Sequence, residues 1–140
     1  MPDAPAFPYA FIAAEHDARH QRVVAIDRDG TVTRSFACAD LPLDLDLRAD
    51  GHLLLTTRQA VIELDPAWRE VWRHDIDEVF ISACQWLPDG SVLVADTSRA
   101  QIYALDRQRR PVRAVDVPRT PDLAPAYNLF RNVRQIADGR

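Results

Sequence analysis

Cysteine is scarce in this chain. Cys38 and Cys84 are the only two, too few for a disulfide framework and at no metal-ligand spacing, so both read as small apolar fillers. Long hydrophobic runs are missing as well. Phe11 to Ala14 and Leu53 to Leu55 fall far short of the ~20 residues that cross a bilayer, so no membrane partner is expected. Nor is there an excess of positive charge: 17 basic and 21 acidic residues are interspersed to a net −4, leaving no field to gather phosphate backbones, and nucleic acid is not expected as a partner. The N-terminal stretch Met-Pro-Asp-Ala-Pro-Ala-Phe-Pro has no basic region followed by an apolar one. The cytoplasm is therefore the default expectation, although a mature chain stripped of its leader would read the same.

What the chain does have is a repeat. With 47% apolar residues over 140 positions it can build a core. One pattern recurs through it: an Asp-Gly turn, an apolar run, a short polar loop, a second apolar run ending in Asp, then a third strand. The second copy reads Asp50-Gly51-His52-Leu53-Leu54-Leu55-Thr56-Thr57, then Ala60 to Asp65, then Arg69 to Arg73. The third reads Asp89-Gly90-Ser91-Val92-Leu93-Val94-Ala95-Asp96, then Gln101 to Asp106, then Pro111 to Val115. The first starts at Ala10 without its turn and continues through Asp27 to Phe36. Its missing piece matches Arg131 to Gly139, at the other end of the chain.

Asp27, Asp65 and Asp106 mark the same point in the three copies, about 40 residues apart, the length of a four-stranded blade. Short runs rich in Val, Ile and Leu, bounded by Asp-Gly or Pro, predict strands rather than helices. The Asp-Gly pairs predict tight two-residue hairpins. The expected fold is thus all-β: a β-propeller of four-stranded antiparallel blades, about three to the chain, in a single half-propeller domain over 1–140. Blade 1 covers 10–36 and lacks one strand, blade 2 covers 42–74, blade 3 covers 81–117, and a Pro-rich interblade loop fills 117–129.

The string Leu87-Pro88-Asp89-Gly90-Ser91-Val92-Leu93-Val94-Ala95-Asp96, followed by Ile102-Tyr103-Ala104-Leu105-Asp106, resembles the blade signature of six-bladed propellers of the NHL-repeat, gluconolactonase-like and PQQ-like groups. Asp65-Pro66-Ala67-Trp68-Arg69-Glu70-Val71-Trp72 is similar to the turn between third and fourth strands in the PQQ-like group. There the resemblance implies a tryptophan packed between blades, here Trp72. The early Glu-Gly-Pro metal motif of the gluconolactonase type and the WD dipeptide are both missing. The resemblance therefore implies architecture rather than chemistry, because one fold hosts hydrolases, lyases, binders and scaffolds.

Propellers close with four to eight blades. Two copies related by a two-fold axis would give six, with strand 130–137 of one copy completing blade 1 of the other as a Velcro closure made in trans, so a homodimer is expected. The rivals are half of a longer six-bladed polypeptide, and three copies making nine blades.

Candidate site residues follow from alternation along the innermost strands. Leu45, Leu47, Cys84, Trp86 and Val133 fall on the core side. Asp44, Asp46, Gln85, Asn132 and Arg134 fall on the channel side, where they could hold a cation, a sugar or a polar substrate or simply solvate a wet channel. The loop Glu15-His16-Asp17-Ala18-Arg19-His20 projects towards the same face and concentrates acid, base and ligand types. Two functions result. One is a binding or scaffold module for a small polar, carbohydrate or peptide ligand at the channel face. The other is a metal-assisted hydrolase or lyase using a divalent cation on Glu15, His16, Asp44 and Asp46. Ser98 lies in no nucleophile elbow, and Asp75-Ile76-Asp77-Glu78 does not match a calcium loop. No catalytic spacing is present, so the binding reading leads.

Overall fold

A computed structural model of the chain describes residues 10–77, 80–118 and 133–136. Among these residues there are strands and no helix long and apolar enough to cross a membrane. The chain divides into two compact units, Met1–Pro42 and Leu43–Arg140.

The first unit holds a three-stranded antiparallel sheet of β1 (Phe11–His16), β2 (Gln21–Ile26) and β3 (Val32–Ala37). The second holds two four-stranded sheets. One runs in the order β4 (Pro42–Leu47), β5 (Leu53–Thr57), β6 (Ala60–Leu64), β7 (Glu70–Asp75), its first residue lying at the unit boundary. The other runs β8 (Ile81–Trp86), β9 (Val92–Asp96), β10 (Gln101–Leu105), β11 (Pro111–Asp116). Every sheet is a simple meander. Among the described residues blade 1 has three strands. Of the fourth, expected at 130–137, residues 130–132 and 137 lie outside the described residues, and 133–136 carry no strand ladder.

The repeat is most literal in the turns from β2 to β3, β6 to β7 and β10 to β11. The register slips by one residue at Ala25/Ile26, Glu63/Leu64 and Ala104/Leu105. An Asp follows each slip. Its Oδ1 accepts the amide two residues on (Asp29, Ala67, Gln108) and the amide four residues on (Thr31, Arg69, Arg110), all at 2.9–3.0 Å. Asp does this because a short carboxylate reaches its own turn's amides without disturbing the strand behind it. The third residue after the Asp takes positive φ: Gly30 at 82°, Trp68 at 63° and Arg109 at 66°.

The turns between first and second strands are wider than expected. Arg48 N donates to His52 O and Leu87 N to Ser91 O, both at 2.9 Å, and Gly51 and Gly90 are at positive φ while the Asp before each is not. Two-residue turns of the type expected need positive φ at both central residues. These hairpins instead use glycine alone as the left-handed residue of a longer loop.

The core belongs mainly to the second unit. Leu54, Val61, Trp72, Ile81, Cys84, Val92, Val94, Tyr103 and Leu105 form one buried cluster contributed by both of its sheets. Strands β5, β6 and β9 are buried at every position, which explains why their apolar residues run consecutively instead of alternating with polar ones. Each large side chain so covered is worth about 1.5–3 kcal/mol. Of the expected core positions Cys84 is buried, and Trp86 and Val133 are half-buried against core clusters, while two others pack on neither. Leu47 is 56% exposed and Leu45 is half-buried. Cys84 is covered by the blade before its own, and within its unit β4 has no such predecessor.

Candidate functional site

Innermost strands alternate, and their polar side was expected to face a channel. In the second unit those side chains are engaged in joining one innermost strand to the next. Asp46 Oδ2 accepts the Trp86 amide at 2.7 Å, and Asp44 Oδ2 accepts the Cys84 amide at 3.0 Å. Gln85 repeats the device one blade later: its Oε1 accepts the Gln135 amide at 2.7 Å, and its Nε2 donates to Gln135 O at 3.5 Å. Arg134 reaches back across β8. It donates through Nη1 and Nη2 to Asp44 at 2.7 and 2.9 Å, and through Nη1 to Cys84 O at 3.4 Å.

These bonds form because innermost strands are too far apart to share a backbone ladder, so their amides need partners supplied by side chains. The Asp44 side chain is 10% exposed and Arg134 keeps 40%. The result is a fixed polar row of Asp44, Asp46, Gln85 and Arg134. The Asp44 carboxylate in turn raises the pKa of the Arg134 guanidinium. Cys84 sits beneath the row, and burial, reinforced by Asp44 and Asp46, pushes its thiol well above the usual range, so it is inert as a nucleophile. Asn132 lies outside the described residues.

The loop in the first unit is organised by Asp17, whose Oδ1 accepts the Arg19 and His20 amides at 2.6 and 2.7 Å. Those two bonds hold the Asp17 carboxyl below its ordinary value. Glu15 is paired with Arg22 across the hairpin. Glu15, Asp17 and His20 bring ligating atoms within 4.8 Å of one another. His16, expected to serve with Glu15, lies opposite Gln21 in the β1–β2 register and belongs to no such group among the described residues. The set Glu15, His16, Asp44 and Asp46 is divided between the two units.

Ser98 has a structural role. It donates to Asp96 Oδ1 at 2.7 Å and accepts the Phe80 amide at 3.4 Å. Asp75, in the acidic turn, accepts from Arg73 at 3.2 Å, and Glu78 is outside the described residues. Beside that turn the second unit has a cleft of about 420 Å³ lined by His74, Asp75, Asp77, Arg99, Tyr103 and Arg109 among others. Burial first, then Arg109, lowers the His74 pKa.

Sequence reasoning missed Glu63. It interrupts the apolar strand β6, is 2% exposed, and is met by His52 Nδ1 at 2.7 Å and by the Arg107 guanidinium, with Arg48 at 3.9 Å. Arg107 also lies over Trp72 and Trp86, with its guanidinium carbon 5.1 and 5.6 Å from the ring centroids, and Arg48 lies 4.2 Å over Trp86. The Trp72 indole donates to Arg107 O at 3.0 Å, so Trp72 does pack between blades 2 and 3. A charge in the middle of an otherwise apolar strand was the signal available.

No protein-family model matches the chain, and no curated protein matches it. Solved structures do. BamB from Moraxella catarrhalis is similar at a TM-score of 0.61 and 18% identity, over 84% of this chain and 35% of that one. A streptogramin B lyase gives 0.57 and 10% identity over 69% and 34%, and a protein of unknown function from Bacteroides caccae 0.57 and 15% over 66% and 36%. The fold is that of a β-propeller. The chain spans about a third of the length of each of these structures. At such identities the likeness is one of fold.

Proposed function

We propose that this chain is a binding or scaffold propeller that takes a small polar molecule, a carbohydrate or a peptide at the face lined by its innermost strands. The observation that supports it is the fixed polar row. Asp44, Asp46, Gln85 and Arg134 are each held by a bond to a neighbouring strand. A ligand meeting such a row finds donors and acceptors already oriented, so little ordering cost falls on binding.

The test is a thermal-shift panel of oligosaccharides, short peptides and small polar metabolites. A ligand present at 100 times its Kd adds about 2.7 kcal/mol to stability, a shift of several degrees. Arg134→Ala should abolish the shift. A panel without any shift, or one unaffected by Arg134→Ala, removes the reading.

A metal-assisted reaction is the second reading, and one observation favours it: the grouping of Glu15, Asp17 and His20. It would require Zn²⁺ to displace Arg22 from Glu15. Zinc titration followed by His20→Ala tests it, and binding unchanged by that substitution rules it out.

A further inference from the structure

We propose that the cleft between the end of β7 and the β10–β11 pair binds a small zwitterion with an apolar body, an amino acid or a short peptide. None of its lining residues belongs to the innermost strands β4 and β8, so this site is distinct from the polar row. Blade 3 departs from its own repeat where it lines this cleft. Counted from the register slip, Tyr103 stands where blades 1 and 2 have Val24 and Ile62, and Ala114 opposite it stands where they have Ser35 and Arg73. Arg109 holds a left-handed position that blade 1 gives to Gly30. The fold is met elsewhere without a phenol or a guanidinium at these points.

Tyr103 is 7% exposed and lines the cleft, yet its hydroxyl makes no hydrogen bond among the described residues. Buried hydroxyls are as a rule partnered. Burial, with Asp96 nearby, pushes this phenol well above its usual range, so it stays protonated and is a donor. Beside it the His74 ring is held in a stack on Trp72, the centroids 6.4 Å apart.

The charges of the lining are only partly matched. Asp75 is met by Arg73 at 3.2 Å, and Arg99 by Asp96 at 3.6 Å. Arg109 gives its Nε to a neutral group, Arg73 O, at 2.6 Å and meets no carboxylate, while Asp77 is exposed and meets no cation among the described residues. One guanidinium and one carboxylate are left over, in a cleft that also presents Ile76, Leu105 and Pro111. A lone anion would face Asp77, and a lone cation Arg109. A zwitterion answers both: its carboxylate takes Arg109 and the Tyr103 hydroxyl, its ammonium takes Asp77, and its body covers the apolar lining. The volume of about 420 Å³ suits a small ligand.

Isothermal titration calorimetry on the full chain tests this with L-leucine, L-phenylalanine, Leu-Leu and Phe-Phe. At least one should bind, and whether the amino acids or the dipeptides bind tighter identifies the source. Acetylating the amine of the ligand that binds, or amidating its carboxyl, should each weaken it about tenfold or more. Tyr103→Phe should weaken binding about tenfold with the urea midpoint of the free chain unchanged, because the hydroxyl has no partner to lose. Arg109→Gln should weaken it at least as much, and Arg134→Ala should leave it as it was. No binding of any of the four at roughly 10 mM overturns the proposal, as does binding that survives both Tyr103→Phe and Arg109→Gln. Binding lost in Arg134→Ala and kept in Arg109→Gln puts the ligand on the polar row and overturns the cleft alone.

Discussion

Blades 1 and 3 share their hairpins, their register slip and their Asp-centred turn, yet they are buried very differently. In blade 3 the second strand, β9, is covered at every position; in blade 1 its equivalent, β1, alternates between partly and fully exposed, and all but one residue of β3 are exposed. The local chemistry that shapes a blade is thus separable from the packing that stabilises it. Turns and slips are encoded within about ten residues. Burial is conferred by neighbours, and blade 3 has blade 2 on one side and residues 133–136 on the other, as the shared cluster and the Gln85 bonds show.

The largest expected effect sets equivalent core positions against each other. Leu54 is fully covered, and Leu54→Ala should cost about 2–5 kcal/mol, read from urea denaturation. Ile12 occupies the same blade position and is only partly buried. In dilute solution Ile12→Ala should cost less than half as much. Equal losses would mean that the exposure difference between the two blades carries no stability.

Next in size is the Glu63 network, for which the first unit shows no counterpart among the described residues. Arg107→Ala leaves the buried carboxylate with His52 and the more distant Arg48, and should cost about 1–3 kcal/mol. Replacing both members, as Glu63→Leu with Arg107→Met, should cost less than Arg107→Ala alone, because no uncompensated charge then remains inside. A double-mutant cycle measures the difference, and strict additivity would show that the pair is not coupled.

The blades were legible in the sequence because their signals are local. Asp27, Asp65 and Asp106 close the same turn in every copy, and runs such as Leu53-Leu54-Leu55 announce strands covered on both faces. The polar row was legible as a set of residues, since alternation alone separates Asp44 and Asp46 from Leu45. Its bonding was not. Whether a carboxylate meets solvent or the amide of a strand 40 residues on depends on how neighbouring blades are spaced, and no short pattern records that. Glu63 and Arg107 are 44 positions apart for the same reason. The exposed Leu47 shows the converse: a residue patterned for a core needs a neighbour to become one.

The smaller effects test whether the turns are as equivalent as they look. Gly30→Ala should cost about 1 kcal/mol from positive φ alone, because an added Cβ there meets nothing within 4 Å. Gly51→Ala should cost more, since its Cβ would come within 3.3 Å of the Pro66 ring. The smallest effect is electrostatic. The Arg48 guanidinium beside Asp50 holds that carboxyl at about 2, below its ordinary 3.8, and Asp65, Asp89 and Asp106 are also lowered by their turn bonds. A carboxyl depressed by folding contributes stability that is complete above its unfolded value and is lost as pH falls through its folded one. Urea midpoints should therefore decline as pH drops from 3.8 towards 2, and Asp50→Asn should flatten that decline while leaving stability near neutrality little changed, because its ion pair is exposed and screened. An undiminished slope in Asp50→Asn would assign the acid sensitivity to the other turn carboxylates, whose partners are amides and side chains such as Arg69, Ser91 and Arg110 and remain in place when Arg48 has nothing to hold.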